Sequence, residues 1–249
     1  MTKLIYAVDE SEFGIEQQRR MASIAAYVDC YKFGHEMMTA EDDEGRTAAS
    51  RARKFCQEEL HKDVFWDIKL LDARHTVEKT VRNIGLMNVQ MFTIHPQASN
   101  EALLAASTTA KKYNMRALAP LVLTDLDDDQ CIERFGINIG AATLRFGHNI
   151  VRERGIRSYV CSVHEAAFIR YHGVLFGPDA YIVTPGIRPL WAPEEKVQKR
   201  IGTPTQAVEA GADAIVVGGP ISSPPATIGT PAAAAKLIRE ELDAAVFKP

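Results

Sequence analysis

The sequence has no closely spaced pair of cysteines. Its four, Cys30, Cys56, Cys131 and Cys161, are far apart and never form CxxC. That excludes a disulfide-stapled scaffold and zinc-type ligand spacing, and leaves reduced thiols that fill a core. No apolar run reaches membrane-spanning length, so no membrane partner is expected. The opening residues, MTKLIYAVD, carry no signal-peptide hydrophobic region, and a cytoplasmic protein is expected. Charge of neither sign dominates: 29 Lys and Arg stand against 32 Asp and Glu, a net charge of −3. No global basic field therefore points to nucleic acid. Low-complexity segments and linker-like shifts in composition are also missing. The absence of GxGxxG after the first strand-like run counts against a dinucleotide-binding fold.

What is present is an alternation. With 46% hydrophobic and 24% charged residues, the chain is ordinary globular material able to bury a large core. Eight short β-rich runs occur in order: LIYAVD, DCYKFG, VFWDIKL, VQMFTIH, RALAPLVLT, SYVCS, AYIVTPG and AIVVGG. Each precedes a helix-like stretch. Helices are expected from Ile15 to Tyr27, from Arg46 to Leu60, after Thr76 as N-cap, and from Asn100 to Tyr113. Others are expected from TDLDDD to Arg154 with a break near Gly136, from about Val163, from about Thr205, and from Pro231 to Ala245. Strands that alternate with helices make a parallel sheet. Eight units in 249 residues fit an α/β protein with one (β/α)8 TIM barrel domain over residues 1–249 better than an open doubly wound sheet.

Polar residues gather at one end of these runs. Asp9, Lys32, Asp67 with Lys69, His95, Thr124, Ser162, Thr184 and Gly218 close them. In a (β/α)8 barrel those ends form the face on which active sites are built. Asp67 and Lys69 are two apart, so on a strand they share a face. With Asp72 they place two carboxylates and an ammonium at the end of an apolar strand, which is costly unless the charges neutralise one another. For isolated residues a plainer reading stands beside the functional one. Thr76, Thr124 and Ser162 have the chemistry of helix caps, His95 that of a packed histidine, and Lys32 that of a snorkelling lysine. The acidic runs EDDE and LDDD read as loop ends or caps. The loops after the last two strand-like runs carry a second signal. TPGIRP supplies Gly186 and Arg188, and VVGGP supplies Gly218 and Gly219, where backbone can approach a ligand closely. These two loops form the common phosphate site of such barrels. Their N–H groups can cradle an anion and Arg188 can add a fork of donors; the alternative is tight turns rich in Gly and Pro.

These residues also match a family pattern. DIKLLD fits the DxKxxD motif of the orotidine 5'-phosphate decarboxylase superfamily, and TPGIRP, the QKR of VQKRIGTP and GADAIVVGGPI follow in the order and spacing of its decarboxylase family. AVD near the start and YKFG in the second run fit as well, so the chain resembles that family over nearly its whole length. The resemblance implies a homodimeric carboxy-lyase of pyrimidine biosynthesis that converts orotidine 5'-phosphate to UMP and CO2 without a cofactor or metal. It implies Lys69 as proton donor to C6 of the pyrimidine, with Asp67 and Lys32 flanking it in an alternating charge network. Asp72 would complete that network from the other subunit, with Thr76 beside it. Asp9 and Lys32 would hold ribose hydroxyls, Thr124 or Asp127 would lie near the base, and Ser162 and Pro185 would line the pocket. Gln198, Arg188 and the backbone around Gly218 would take the phosphate.

Sister enzymes of the superfamily, 3-keto-L-gulonate 6-phosphate decarboxylase and hexulose-phosphate synthase, share DxKxxD, often followed by alanine as Ala73 follows here. They resemble one another in carrying an acidic residue and a magnesium ion where this chain has Lys32, and they lack TPGIRP with QKR. Two departures from the decarboxylase pattern stand out. DARHT replaces DIPNT through Ala73, Arg74 and His75, and Gly219 occupies the position of an expected phosphate-binding arginine. A paralogous lyase acting on another sugar phosphate, and a nucleotide-binding barrel that has lost activity, are the alternatives.

Overall fold

Runs rich in Val, Ile, Tyr and Phe become strands that are covered on both faces, as a parallel sheet flanked by helices requires. In the computed structural model, which describes residues 1–193 and 200–246, these are β1 (Lys3–Val8), β2 (Cys30–Phe33), β3 (Asp63–Leu70) and β4 (Met91–Ile94). They are followed by β5 (Arg116–Pro120), β6 (Ser158–Val160), β7 (Tyr181–Thr184) and β8 (Ala214–Val217). Among the described residues these eight strands form a closed parallel barrel in sequence order, sealed where β1 pairs with β8 from Lys3↔Ala214 to Tyr6↔Val217. The expected (β/α)8 barrel is the observed fold.

Strand periodicity sorts the core into two layers. Ile5 and Ala7 of β1 join Cys30, Phe65, Leu118 and Val216 in one cluster inside the barrel. Leu4, Tyr6 and Val8, the alternate residues, join the larger cluster that the strands share with the helices. All four cysteines are buried free thiols.

The helices differ from expectation in detail. A short helix, His35–Thr39, precedes the acidic loop. The next helix starts at Ala48 rather than Arg46, because the Asp42 carboxylate accepts from the Arg46 N–H at 2.8 Å and holds Arg46 in the loop. It runs as Ala48–Lys54 and continues in wider turns through Phe55–Glu59. The helix after β3 is Arg74–Leu86, with Ala73 at its N-cap, so Thr76 lies inside the first turn instead of capping it. The local tie is Asp72, whose carboxylate accepts from the Ala73 N–H at 2.6 Å. β5 stops at Pro120, not Thr124. Its neighbour β6 ends at Val160, opposite Pro120, so residues 122–124 have no strand to pair with. Asp127 caps helix Asp128–Phe135 in a reciprocal box with Gln130, and Gly136 ends that helix in the left-handed region, as the sequence suggested.

Helix Arg74–Leu86 packs against helix Asn100–Lys112, and Gly85 makes the close approach possible: a Cβ there would lie 2.4 Å from Tyr113 Cγ. Alanine ordinarily stabilises a helix over glycine by about 1 kcal/mol. Here the sign should reverse, with Gly85→Ala destabilising the fold by about 1–3 kcal/mol through overpacking. The measurement is the urea midpoint, and the loss should shrink when Tyr113 is also shortened to alanine.

Candidate active site

The strand C-termini open into a cavity of about 510 Å³. Residues remote in sequence meet on its wall: Asp9 after β1, Lys32 from β2, and Asp67 and Lys69 from β3. Their charges alternate in space. Lys32 Nζ lies 3.2 Å from Asp9 Oδ1 and 3.6 Å from Asp67 Oδ2. Lys69 Nζ donates to the same Asp67 Oδ2 at 3.0 Å. The Asp67 side chain keeps 18% of its exposure and that of Lys32 13%, so neither charge is fully solvated. Burial pushes the Asp67 carboxyl up, but the Lys32 and Lys69 ammonium groups, with hydrogen bonds from Lys69 and Thr93, outweigh it and hold the group below the usual carboxylate range.

β3 is irregular at this point. Its pairing with β4 shifts register between Trp66 and Leu70, and Lys69 adopts a φ of 45°, the left-handed region. Thr93 of β4 sits beside it, 1% exposed. Its Oγ1 accepts from the Lys69 N–H at 2.8 Å and donates to Asp67 Oδ1 at 2.9 Å. Nothing but a lone hydroxyl in the apolar run MFTI marked Thr93 in the sequence. His95 closes β4 but lines a neighbouring cavity, where its Nδ1 accepts from the Gln97 N–H at 3.2 Å. Burial first, and then the charge of Lys69, lowers its imidazole from the ordinary value.

The other side of the cavity is made by the loops after β7 and β8. Pro185, Arg188, Gly218 and Gly219 lie on its wall, as does Thr124 from the loop after β5. At Gly218 a Cβ would stand 2.9 Å from Asp9 Oδ2, so a larger residue would displace that carboxylate. At Gly219 a Cβ would meet nothing within 4 Å. Arg188 donates from Nη1 to the Pro193 carbonyl at 3.1 Å. Gln198 lies outside the described residues. Ser162 is fully buried at the start of helix Val163–Tyr171, and the wall in that region is formed by Val160 and Cys161. Asp127 serves as the helix cap already described.

Arg200, the last residue of QKR, has a role that the sequence reading did not assign. Its Nη1 lies 2.7 Å from Glu165 Oε2, with both side chains about nine-tenths buried. Its Nη2 donates to the Leu123 and Val122 carbonyls at 2.7 and 3.1 Å. Glu165 in turn accepts from the Ser162 N–H at 3.0 Å. One buried ion pair thus fastens the loops after β5, β6 and β7 together around the cavity.

Asp72 and Thr76 do not line the cavity within this chain. They belong to an exposed run, residues 71–76, in which Leu71 is 55% exposed.

Because the folded-state pKa of Asp67 is depressed, its contribution to stability is present above the unfolded value of about 3.9 and is lost as pH falls through the lower folded value. Asp67→Asn also removes the carboxylate beside Lys69 and one of the two beside Lys32. It should lower stability near neutral pH by about 1–3 kcal/mol, with the gap to the parent closing below about pH 4. Chemical denaturation across that range measures it.

Comparison with known proteins agrees with this picture. Residues 2–236 match the family model described as Orotidine 5'-phosphate decarboxylase / HUMPS family. A curated protein named orotidine 5'-phosphate decarboxylase, from Anaeromyxobacter sp. (strain K), is 36% identical over 218 residues, covering 87% of this chain and 88% of that one. The crystal structure of orotidine 5'-phosphate decarboxylase from Lactobacillus acidophilus superposes with a TM-score of 0.75 at 23% identity, covering 98% of this chain and all (100%) of that one. The corresponding structure from Pyrococcus horikoshii OT3 gives 0.73 at 20% identity, with 96% and 99% covered. At such identities the two structures speak to the fold alone.

Proposed function

The chain belongs to the orotidine 5'-phosphate decarboxylase / HUMPS family, and from that premise we propose that it removes CO2 from orotidine 5'-phosphate to give UMP, the decarboxylation step of pyrimidine biosynthesis. The observation that carries this reading is the alternating row Asp9, Lys32, Asp67, Lys69 on one cavity wall. Loss of CO2 breaks the bond from C6 to the carboxyl carbon and leaves the electron pair on C6. A fixed ammonium beside that carbon stabilises the developing charge and supplies the proton. Lys69 is that ammonium in this reading, and the proton it gives up returns from solvent. Asp67 orients Lys69 through the contact at 3.0 Å. No resident cofactor is needed as an electron sink.

Lys32 separates this reading from that of a metal-dependent sister lyase. Its ammonium lies between the carboxylates of Asp9 and Asp67, at the position where those enzymes resemble one another in holding an acidic residue and magnesium. The row is completed, in our reading, by a second copy of the chain. The exposed run after β3 offers Asp72 and Thr76 to a partner, which supports a homodimer with these residues acting across the interface. The ribose would lie against Asp9 and Lys32, and the base near Thr124 and Pro185. The phosphate would lie against Arg188, Gln198 and the backbone at Gly218. Binding of that remote phosphate contributes to rate as well as affinity when its contacts strengthen in the transition state.

The direct test follows the fall in ultraviolet absorbance as purified protein meets orotidine 5'-phosphate. Lys69→Ala should abolish CO2 release while circular dichroism stays native, since the side chain is 34% exposed and its loss opens no core cavity. A folded variant that still turns over near the parental rate would remove Lys69 from its role. Gly219 supplies a second prediction. A Cβ there meets nothing within 4 Å, and Gly219→Arg should raise kcat/KM for orotidine 5'-phosphate by at least about tenfold, the effect of one added charge-assisted contact to phosphate.

A further inference from the structure

We propose that Thr93 is a positioning residue for this chemistry, its hydroxyl tying the backbone of Lys69 to the carboxylate of Asp67 so that the proton donor and its partner are held as one unit. The inference rests on the decarboxylase reading above and deepens it, because the family motif lies on β3 while Thr93 lies on β4.

β4 is buried along its length, and Thr93 is its one polar residue. A buried hydroxyl is costly unless it is hydrogen-bonded, and it can both donate and accept. Here it does both. A hydroxyl has one proton to give, and the Lys69 N–H can only donate, so it occupies the acceptor side of Oγ1 at 2.8 Å. The Thr93 proton is thereby directed to Asp67 Oδ1 at 2.9 Å. The two oxygens of Asp67 are then divided. Oδ1 is held by Thr93, and Oδ2 faces the ammonium groups of Lys69 and Lys32 at 3.0 and 3.6 Å. The carboxylate cannot turn without breaking contacts on both sides.

The backbone has the same dependence. Regular pairing of β3 with β4 ends at Trp66↔Phe92 and resumes at Leu70↔Ile94. Lys69 falls in the gap with a φ of 45°, a conformation that residues other than glycine keep only where the surroundings enforce it. The Thr93 side chain takes the place of the missing strand partner for the Lys69 N–H. Thr93 is not on the cavity wall, so it acts through Lys69 and Asp67 and touches no substrate.

Thr93→Val keeps shape and removes the hydroxyl. Its kcat for CO2 release should fall at least about tenfold with KM within about twofold, whereas Thr93→Ser should recover to within about threefold of the parent. Native-state hydrogen exchange at the Lys69 amide should be slow in the parent and in the serine variant and fast in the valine one. Parental kcat in a folded valine variant, or a serine variant no better than valine, overturns the proposal; if valine prevents folding, Thr93→Ala is judged by the same criteria. Should the parent itself release no CO2 from orotidine 5'-phosphate, the decarboxylase reading fails and the catalytic half of this inference fails with it. The exchange measurement still decides the tie, because an unprotected Lys69 amide in the parent overturns it regardless of activity.

Discussion

A carboxylate withdrawn from water has to be met by opposite charge or by donated hydrogen bonds, and at Asp67 it is met by both. Two ammonium groups share one of its oxygens and a threonine hydroxyl holds the other. Removing any one partner would take from Asp67 a contact that offsets its burial. The barrel supplies its parts from three adjacent strands. Lys32 comes from β2, Asp67 and Lys69 from β3 and Thr93 from β4. Closure of the sheet places the ends of these strands side by side. The same closure sets Asp9 beside Gly218, where β1 pairs with β8 and a side chain larger than glycine's would collide with the carboxylate.

The site also draws on groups that never face the cavity. Arg200 and Glu165 form a buried ion pair whose remaining hydrogen bonds go to the carbonyls of Val122 and Leu123 and to the Ser162 N–H. A buried pair is weak evidence for added stability, but its geometry ties the segments it joins to one arrangement. Here it joins the loop after β7 to the two preceding strand ends. The irregularity of β3 has a comparable logic. A regular strand would satisfy the Lys69 N–H in the ladder; the shifted register hands that task to a side chain that also holds the carboxylate.

Lys32 gives the cluster its chemical character. Its ammonium lies between the carboxylates of Asp9 and Asp67, and together with Lys69 it matches their two negative charges, with Lys69 on the cavity wall. The wall made by the loops after β7 and β8 is less heavily charged among the described residues. Gly219 leaves open space for a Cβ where the family pattern has an arginine, and Arg188 is the cation there among the described residues.

Much of this was legible in the sequence because strand and helix periods, and polar residues at strand ends, are local signals. Eight alternating units determined the barrel, and the spacing of Asp67 and Lys69 determined that both side chains would share a face. Where local signals misled, a neighbour had intervened. Thr124 was read as a strand end, but β6 ends opposite Pro120 and left residues 122–124 unpaired. Thr76 was read as a cap, but Asp72 ties the chain at Ala73 first. Ser162 does stand at the start of helix Val163–Tyr171, as its cap chemistry suggested, while the wall role that the resemblance implied falls to Val160 and Cys161. Thr93 and Arg200 had no local signal at all, since a threonine in an apolar strand and an arginine after a lysine are common. Their partners lie 24 and 26 residues away for Thr93 and 77 and 78 for Arg200's carbonyls. The sequence by itself determined the barrel and the placing of Asp9, Lys32, Asp67 and Lys69 at its mouth. Only the tertiary structure decided which hydrogen bonds hold them there, because directional contacts between distant segments leave no periodic trace in the chain.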